Sequence, residues 1–215
     1  MISLRVLGTV EVRTGDERGT DAVAVQPKRL ALLLYLALAE PAGLHARDRL
    51  LGLLWPGADD ASSRHSLRNA LHALRGVLGD GAIVTRGEAW IGLDFTAIQC
   101  DALALREHLA AGRIEQALVL WTGELAPAFH VTDAPEFEHW LDDQRATLHR
   151  VVRAAAWKHA DTRRGAGAQE LDAVRMAYQL DPGDEHGARR LMRLLADSGN
   201  RAGALRVFEE LSRHL

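Results

Sequence analysis

The residues best suited to chemistry lie in one segment, between Ala61 and Gly79, which contains no acidic side chain. Leucines recur in this segment at helical spacing and predict a buried face. Six of its polar side chains are candidates for DNA binding: Arg64, His65, Arg68, Asn69, His72 and Arg75. Arginine and asparagine carry donors and acceptors that match base edges in the major groove. The segment therefore predicts a helix that packs through one side and binds duplex DNA through another.

The composition of the chain is that of a soluble protein with room for one large or two small domains. It has 215 residues, 47% of them hydrophobic, and a formal net charge of -3. This charge gives no overall attraction to nucleic acid, so DNA binding requires cations gathered on one surface. The N-terminus lacks a secretory signal and no apolar run approaches a membrane span, so we expect a cytoplasmic protein without membrane contact. The single cysteine, Cys100, is expected to be a small buried hydrophobe.

Short elements on both sides of the basic helix predict the scaffold that positions it. In chain order these are two strands between Leu4 and Val12, a strand at Val23–Val25, helices at Leu30–Ala39 (with Pro27 in the first turn) and Ala46–Leu54, the basic helix, and hairpin strands at Ala82–Thr85 and Ala89–Leu93. This order is typical of a winged helix, in which the third helix enters the major groove and the hairpin lies beside it on the DNA backbone. Arg86, at the predicted hairpin tip, is then a candidate phosphate contact.

The second half of the sequence predicts helices only. Their predicted bounds are Ala102–Ala111, Ile114–Leu120, Glu136–Arg163, Ala168–Leu180, Glu185–Ser198 and Arg201–His214. The segment AVRMAYQL at 173–180 is echoed by ALRVFEEL at 204–211, about one helical-hairpin repeat later. The echo predicts tetratricopeptide-like packing of these helices.

Several segments together resemble the Streptomyces antibiotic regulatory protein family and its wider bacterial relatives: LRVLGTVEV, PKRLALLLYLALAE, RDRLLGLLWP, SLRNALHALRGVLG, FEHWLDDQRATLHR and LDPGDEHGARRLMRLLADSGNRAGALRVFEEL. The resemblance implies a mainly helical protein with a small β component. Its N-terminal winged helix, of the OmpR/PhoB type, would span residues 1–97, and an all-helical, tetratricopeptide-like bacterial transcriptional activator domain would span 98–215. It also implies a regulator that binds double-stranded promoter DNA, often as a homodimer, and recruits RNA polymerase, with no cofactor and no metal.

The resemblance assigns roles to individual positions of this chain. The recognition helix falls on Ala61–Leu78, which makes Arg64, Arg68, Asn69 and His72 candidates for groove contact. Arg75 matches an arginine that either touches phosphate or braces the helix. Three further cations are expected to contact phosphate: Lys28, Arg29 and Arg47. His65 is also a candidate, the alternative being a surface histidine with no role.

Three other interpretations of the chain remain open at this stage. The basic side of the helix could be an ordinary solvated face, although such faces usually mix both signs of charge. The protein could be an interaction scaffold whose winged helix binds protein and whose repeats form a peptide groove. A small-molecule ligand could also bind among the aromatic residues of the helical half, which would add to DNA binding rather than replace it.

Other features are explained without an enzyme or a ligand. His139 and Asp143 lie one helical turn apart, but no catalytic motif accompanies them, so an enzyme is not predicted. The aromatic residues are expected to pack between helices: Trp121, Phe129, Phe137, Trp140 and Trp157. The long loop 122–135 is either a partner-binding element or a packed crossover. Asp59 and Asp60 either cap the basic helix or meet a basic polymerase surface.

Overall fold

The computed structural model describes residues 1–14 and 26–214. The described residues are mostly helical and include two small three-stranded sheets, which confirms the predicted fold class. The strand predicted at Val23–Val25 lies outside the described residues.

The strands are β1 Ile2–Arg5, β2 Glu11–Arg13, β3 His45–Ala46, β4 Ile83–Arg86, β5 Trp90–Leu93 and β6 Ile98–Cys100. The α-helices are α1 Pro27–Leu38, α2 Arg47–Leu54, α3 Asp60–Leu78, α4 Asp101–Ala110, α5 Ile114–Leu120, α6 Pro135–Thr162, α7 Ala168–Gln179, α8 Glu185–Asp197 and α9 Arg201–His214. All six helices predicted for the second half are present with bounds within one residue of those expected.

The chain divides into two compact units. The first comprises residues 1–107 and 119–145, and the second comprises residues 108–118 and 146–215. In the first unit, α1 supplies a continuous buried run from Leu30 to Leu38, as its apolar sequence predicts. This helix forms the centre of the core on which the neighbouring elements pack.

The two sheets of the first unit contain short strands that the sequence did not reveal. β1 pairs with β2 in antiparallel fashion and with β6 in parallel fashion. β3 and β4 both pair with β5 as antiparallel neighbours. The carboxylate of Asp101, directly after β6, accepts hydrogen bonds from the backbone N–H groups of Val6 (2.9 Å) and Leu7 (3.1 Å). This carboxylate therefore ties the end of β6 to the chain that follows β1.

The loop 122–135 belongs to the first unit and packs against residues 6–8 of the same unit. The backbone of Ala126 donates to the carbonyl of Val6 at 2.7 Å, and the N–H of Gly8 donates to the carbonyl of Glu124 at 2.9 Å. The guanidinium of Arg145 donates to three carbonyls of the loop, those of Leu125, Ala126 and Phe129. The structure therefore favours the packed crossover over an exposed partner-binding loop.

An aromatic cluster in the first unit joins α1 to the first half of α6. The ring of Tyr35 lies 4.8 Å from Trp140, and Trp140 lies 5.4 Å from the fully buried Phe137. Phe137 in turn lies 6.3 Å from Phe129 in an edge-on arrangement. The predicted packing role is confirmed for these aromatic residues, which gain from such geometries beyond simple burial.

The second unit has its own apolar core, built from α6 to α9: Ala160, Ala173, Val174, Tyr178, Ala188, Leu191, Leu195, Val207 and Leu211. Trp157 also packs on it, so close to Gly187 that an added Cβ there would lie 2.5 Å from the indole. A larger residue at position 187 would therefore force the indole of Trp157 to shift. At the edge of this core, the guanidinium of Arg190 donates hydrogen bonds to the Glu170 carboxylate (2.8 Å) and to the Ala160 carbonyl (3.0 Å).

The two echoed segments of the second unit differ in burial at equivalent positions. Val174 and Ala177 of α7 are buried. Their counterparts in α9, Leu205 and Phe208, are 63% and 57% exposed. In the second unit, α7 is therefore covered on a side that α9 leaves open to solvent.

We predict that Arg145→Ala lowers the free energy of unfolding by about 2 to 4 kcal/mol, because three loop carbonyls lose a charged donor at once. Urea unfolding followed by circular dichroism measures this difference. Arg150→Ala, an exposed arginine on the same helix, is the matched control and should change little. Equal stability of the two variants would contradict the structural role of Arg145.

Candidate nucleic-acid interface

The basic helix α3 begins one residue earlier than predicted, and its N-terminus is capped. The carboxylate of Asp59 accepts hydrogen bonds from the N–H groups of Ala61 (3.0 Å) and Ser62 (2.9 Å), which confirms the predicted capping role. Asp60 lies inside the first turn and its carboxylate is 3.7 Å from the guanidinium of Arg64. The predicted acid-free helix is therefore wrong in its first turn, where one carboxylate partly offsets one arginine.

The buried side of α3 fixes which side faces solvent. It consists of residues at helical spacing: Ser63, Leu67, Ala70, Leu71, Leu74 and Leu78. Successive residues of a helix turn by about 100°, so His65, Asn69 and His72 fall opposite this stripe. All three side chains are exposed. Leucine packing therefore turns a polar surface outward, as the sequence predicts.

The arginines of α3 form a row along one flank of the helix rather than its outermost line. Arg64 and Arg68 are exposed, the side chain of Arg64 by 60%, whereas Arg75 is half-buried. Neither Arg64 nor Arg68 is turned into the core. Both can therefore reach a ligand that approaches this flank.

The arginine flank borders an open groove of about 570 Å³ between α3, the start of α2 and the hairpin. The residues that line it are Ala46, Arg47, Asp48, Arg64, Arg68, Glu88, Ala89 and Trp90. The structure thus brings Arg47 to the same place as two of the helix arginines. It also brings two carboxylates there, so the groove is not uniformly cationic.

Trp90 is the residue of this surface that sequence reasoning missed. Its indole is 45% exposed and lines the groove beside Arg64 and Arg68. A tryptophan in a strand is expected to be buried, and only the register of the hairpin turns this one outward. In β5 only Trp90 is exposed, and Ile91, Gly92 and Leu93 are buried, so no apolar–polar alternation in the sequence points to it.

The hairpin is confirmed, but its tip differs from the predicted one. Arg86 ends β4 and pairs with Trp90, so the connecting residues are 87–89. Arg86 is exposed next to the tip rather than at it. Gly87 has a φ of +59°, a left-handed conformation that glycine adopts without strain.

Arg47 braces the hairpin against the start of α2. Its Nε donates to the carbonyl of Glu88 at 2.7 Å, and its backbone N–H donates to the carbonyl of Ala89 at 2.7 Å. A guanidinium has five N–H donors, so this bracing uses only part of its capacity. Arg47 therefore has a structural role in addition to the predicted contact with phosphate.

The other two predicted phosphate contacts, Lys28 and Arg29, lie in the first turn of α1 and do not line the groove. Both are half-buried, and the ammonium of Lys28 lies 6.0 Å from the centre of the Trp55 ring. The structure therefore places them apart from the group formed by Arg47, Arg64 and Arg68.

Two side chains on the outermost line of α3 are hydrogen-bonded to each other. The Nδ2 of Asn69 and the Nε2 of His65 are 2.9 Å apart, one helical turn from each other. His72, further along the same line, is exposed. His65 is thus joined to another predicted DNA-binding residue.

The structure also bears on the other potentially reactive groups of the sequence. Cys100 is buried, and this burial raises the pKa of its thiol to about 11, which confirms its role as a hydrophobe. Within residues 1–14 and 26–214 we find no cluster of three side chains that could hold a metal ion. His139 and Asp143 lie 3.7 Å apart in an exposed pair, a common arrangement on a helix surface.

Comparison with known proteins identifies the family of the helical region. The model of the bacterial transcriptional activator domain matches residues 93–215. The chain belongs to the bacterial transcriptional activator domain family. This match confirms the resemblance to the Streptomyces antibiotic regulatory proteins. It also makes the protein a member of a family of transcription regulators rather than of enzymes.

The match to the bacterial transcriptional activator domain begins at the end of β5 and covers β6 and all helices from α4 onward. The helix α3 and the groove precede it. A comparison with curated proteins gave no match. None of the helices within the described residues has the length and apolar character needed to cross a membrane.

In this activator-domain protein, we predict that the contribution of Asp59 to stability depends on pH. Hydrogen bonds from the backbone N–H and the hydroxyl of Ser62 lower the pKa of the Asp59 carboxyl. A carboxyl whose pKa is lower in the folded than in the unfolded state stabilises the fold. The contribution is complete above the unfolded pKa of about 3.9 and is lost as the pH falls through the folded pKa. The difference in unfolding free energy between wild type and Asp59→Ala should therefore shrink below about pH 4.

Urea unfolding at neutral and acidic pH measures this difference. Asp80→Ala, an exposed aspartate that follows the same helix, is the control and should give a small difference with no such trend. If the Asp59→Ala difference stayed constant down to pH 3, capping by the ionised carboxylate would be rejected.

Proposed function

We propose that this protein is a transcriptional activator that binds promoter DNA through α3 of an N-terminal winged helix. In this proposal the winged helix occupies residues 1–97 and the activator domain, with tetratricopeptide-like helices, occupies residues 98–215. The observation that carries it is the pair of exposed arginines, Arg64 and Arg68, on the solvent-exposed flank of α3. They line one groove together with Arg47 and Trp90. The family match supports the regulatory role.

The polar side of α3 has the chemistry needed to read base edges. Arg68 and Asn69 are adjacent and exposed, and each belongs to a residue type that makes two hydrogen bonds to a single base in the major groove. The leucine stripe behind them holds the helix rigid. A helix of α3's width fits the major groove, so these side chains would enter it together.

Phosphate contacts would come from cations around this helix. Arg75 lies on the flank of α3, Arg86 next to the hairpin tip and Arg47 at the start of α2. Lys28 and Arg29 lie in the first turn of α1. Asp48 and Glu88 also line the groove, and because their carboxylates repel phosphate we expect the DNA backbone to lie nearer to the arginine flank. Since the whole chain is acidic, this local arrangement supplies the attraction.

The helical region would associate with a second copy of the chain or with RNA polymerase. Leu205 and Phe208 give α9 an exposed apolar surface where the equivalent positions of α7 are buried. Apolar surface of this kind is stabilised by a partner that covers it. Of these two partners, we propose that a second copy of the chain covers this surface.

We predict that Arg68→Ala weakens binding to a specific promoter site by about 1 to 3 kcal/mol, roughly 5- to 150-fold, because a base contact is lost. A mobility-shift titration at fixed salt measures the dissociation constant. Arg193→Ala removes the same charge from an exposed position on α8 and is the matched control, with affinity expected to change little.

Affinity for random DNA and the salt dependence of binding distinguish contacts to bases from contacts to phosphates. Arg86 is a proposed phosphate contact, so Arg86→Ala should weaken the binding of specific and random DNA by the same factor and reduce the salt dependence of binding. Arg68→Ala should weaken the specific site more than random DNA. If Arg64→Ala and Arg68→Ala leave affinity and salt dependence unchanged, or if the wild type binds no DNA at low salt, the proposed function is rejected and a protein-binding scaffold is favoured.

We predict that Phe208→Glu converts a dimeric protein into a monomer, since a charge cannot be buried in an apolar interface. Size-exclusion chromatography with light scattering measures the mass. Arg206→Ala, an exposed neighbour on α9, is the control and should remain dimeric. A wild type that is monomeric at micromolar concentration, or a variant that stays dimeric, would contradict self-association through this helix.

A further inference from the structure

A hydrogen bond joins the side chains of Asn69 and His65 on the exposed side of α3. Asn69 donates through Nδ2 to the Nε2 of His65 at 2.9 Å. Because an amide N–H can only donate, this bond requires Nε2 to be the acceptor, which is the His65 tautomer with its proton on Nδ1. The two residues are one turn apart on the exposed side of α3, where side chains at this spacing are neighbours. The pair therefore holds the Asn69 amide in one orientation.

The held amide retains the groups that recognise adenine. Of the two Nδ2–H donors of Asn69, one is used by His65, and the second remains together with the lone pairs of Oδ1. Adenine presents an acceptor at N7 and a donor at N6 in the major groove, and asparagine matches this pattern with one N–H and its carbonyl oxygen. Guanine offers two acceptors at the same edge and does not match it.

We propose that His65 is a positioning residue that fixes the Asn69 amide to read an adenine in the major groove. The proposal rests on the proposed function, because it needs α3 to enter that groove. Without His65, the amide rotates freely and must be ordered when DNA binds. Ordering one such side chain costs affinity, and we expect a loss of about 2- to 10-fold for His65→Ala at sites that contain the adenine.

Selection of binding sites from a randomised duplex library tests the adenine preference. The wild type should select adenine at one position, and Asn69→Ala should lose the preference at that position alone. His65→Ala should weaken the same preference. His65→Gln should restore it, because the glutamine carbonyl accepts from Asn69 at the same spacing. His139→Ala, which removes an exposed histidine from α6, is the matched control and should leave the position unchanged.

Nitrogen NMR of the histidine rings in the free protein tests the pair without DNA. In the wild type we expect Nε2 of His65 to accept a hydrogen bond and the ring proton to lie on Nδ1. In Asn69→Ala we expect this tautomer to lose its preference. A His65 protonated at Nε2 would overturn the inference whatever the DNA result.

The two experiments separate this inference from the proposed function. A wild type that selects no DNA site overturns both. A selected site whose preferences survive Asn69→Ala, or for which His65→Ala and His65→Gln behave alike, overturns only the role of the pair. The same holds if His139→Ala reproduces His65→Ala.

Discussion

The candidate interface depends on the burial of one stripe of α3. Leu67, Leu71 and Leu74 pack into the first unit and cannot leave it without a large loss of apolar burial, about 1.5 to 3 kcal/mol for each side chain. This packing fixes the rotation of the helix about its own axis. The exposed positions of Arg68 and Asn69 then follow from helical geometry alone, without any interaction of their own that turns them outward.

Two local devices complete the surface that this packing creates. Asp59 satisfies the first N–H groups of α3 and sets where the helix begins. Arg47 joins the hairpin tip to the start of α2, which keeps Trp90 beside the arginine flank. Both devices use charged groups outside the core, since Asp59 is exposed and Arg47 is half-buried, so they order the site without enlarging the core. The apolar core therefore positions the elements that form the groove, and a few polar contacts fix their ends.

Much of the fold could be predicted from the sequence because its signals are local. The apolar run of α1, the leucine spacing of α3 and the turn residues between the C-terminal helices each act within a short segment. β3 and β6 were missed because they contain two and three residues and exist only through pairing with distant strands. Trp90 and the His65–Asn69 pair were missed for a related reason, since register and side-chain orientation are set by three-dimensional packing.

The central claim is that DNA meets the polar side of α3 and the adjacent groove. Titration of the isotopically labelled full chain with promoter duplex, followed by NMR of backbone and arginine Nε–H signals, tests it most directly. The account predicts that the perturbed signals concentrate at residues 64–72 and at the hairpin tip, residues 86–90. Signals that change only within residues 146–214, or nowhere at a DNA concentration that saturates a mobility shift, would contradict it.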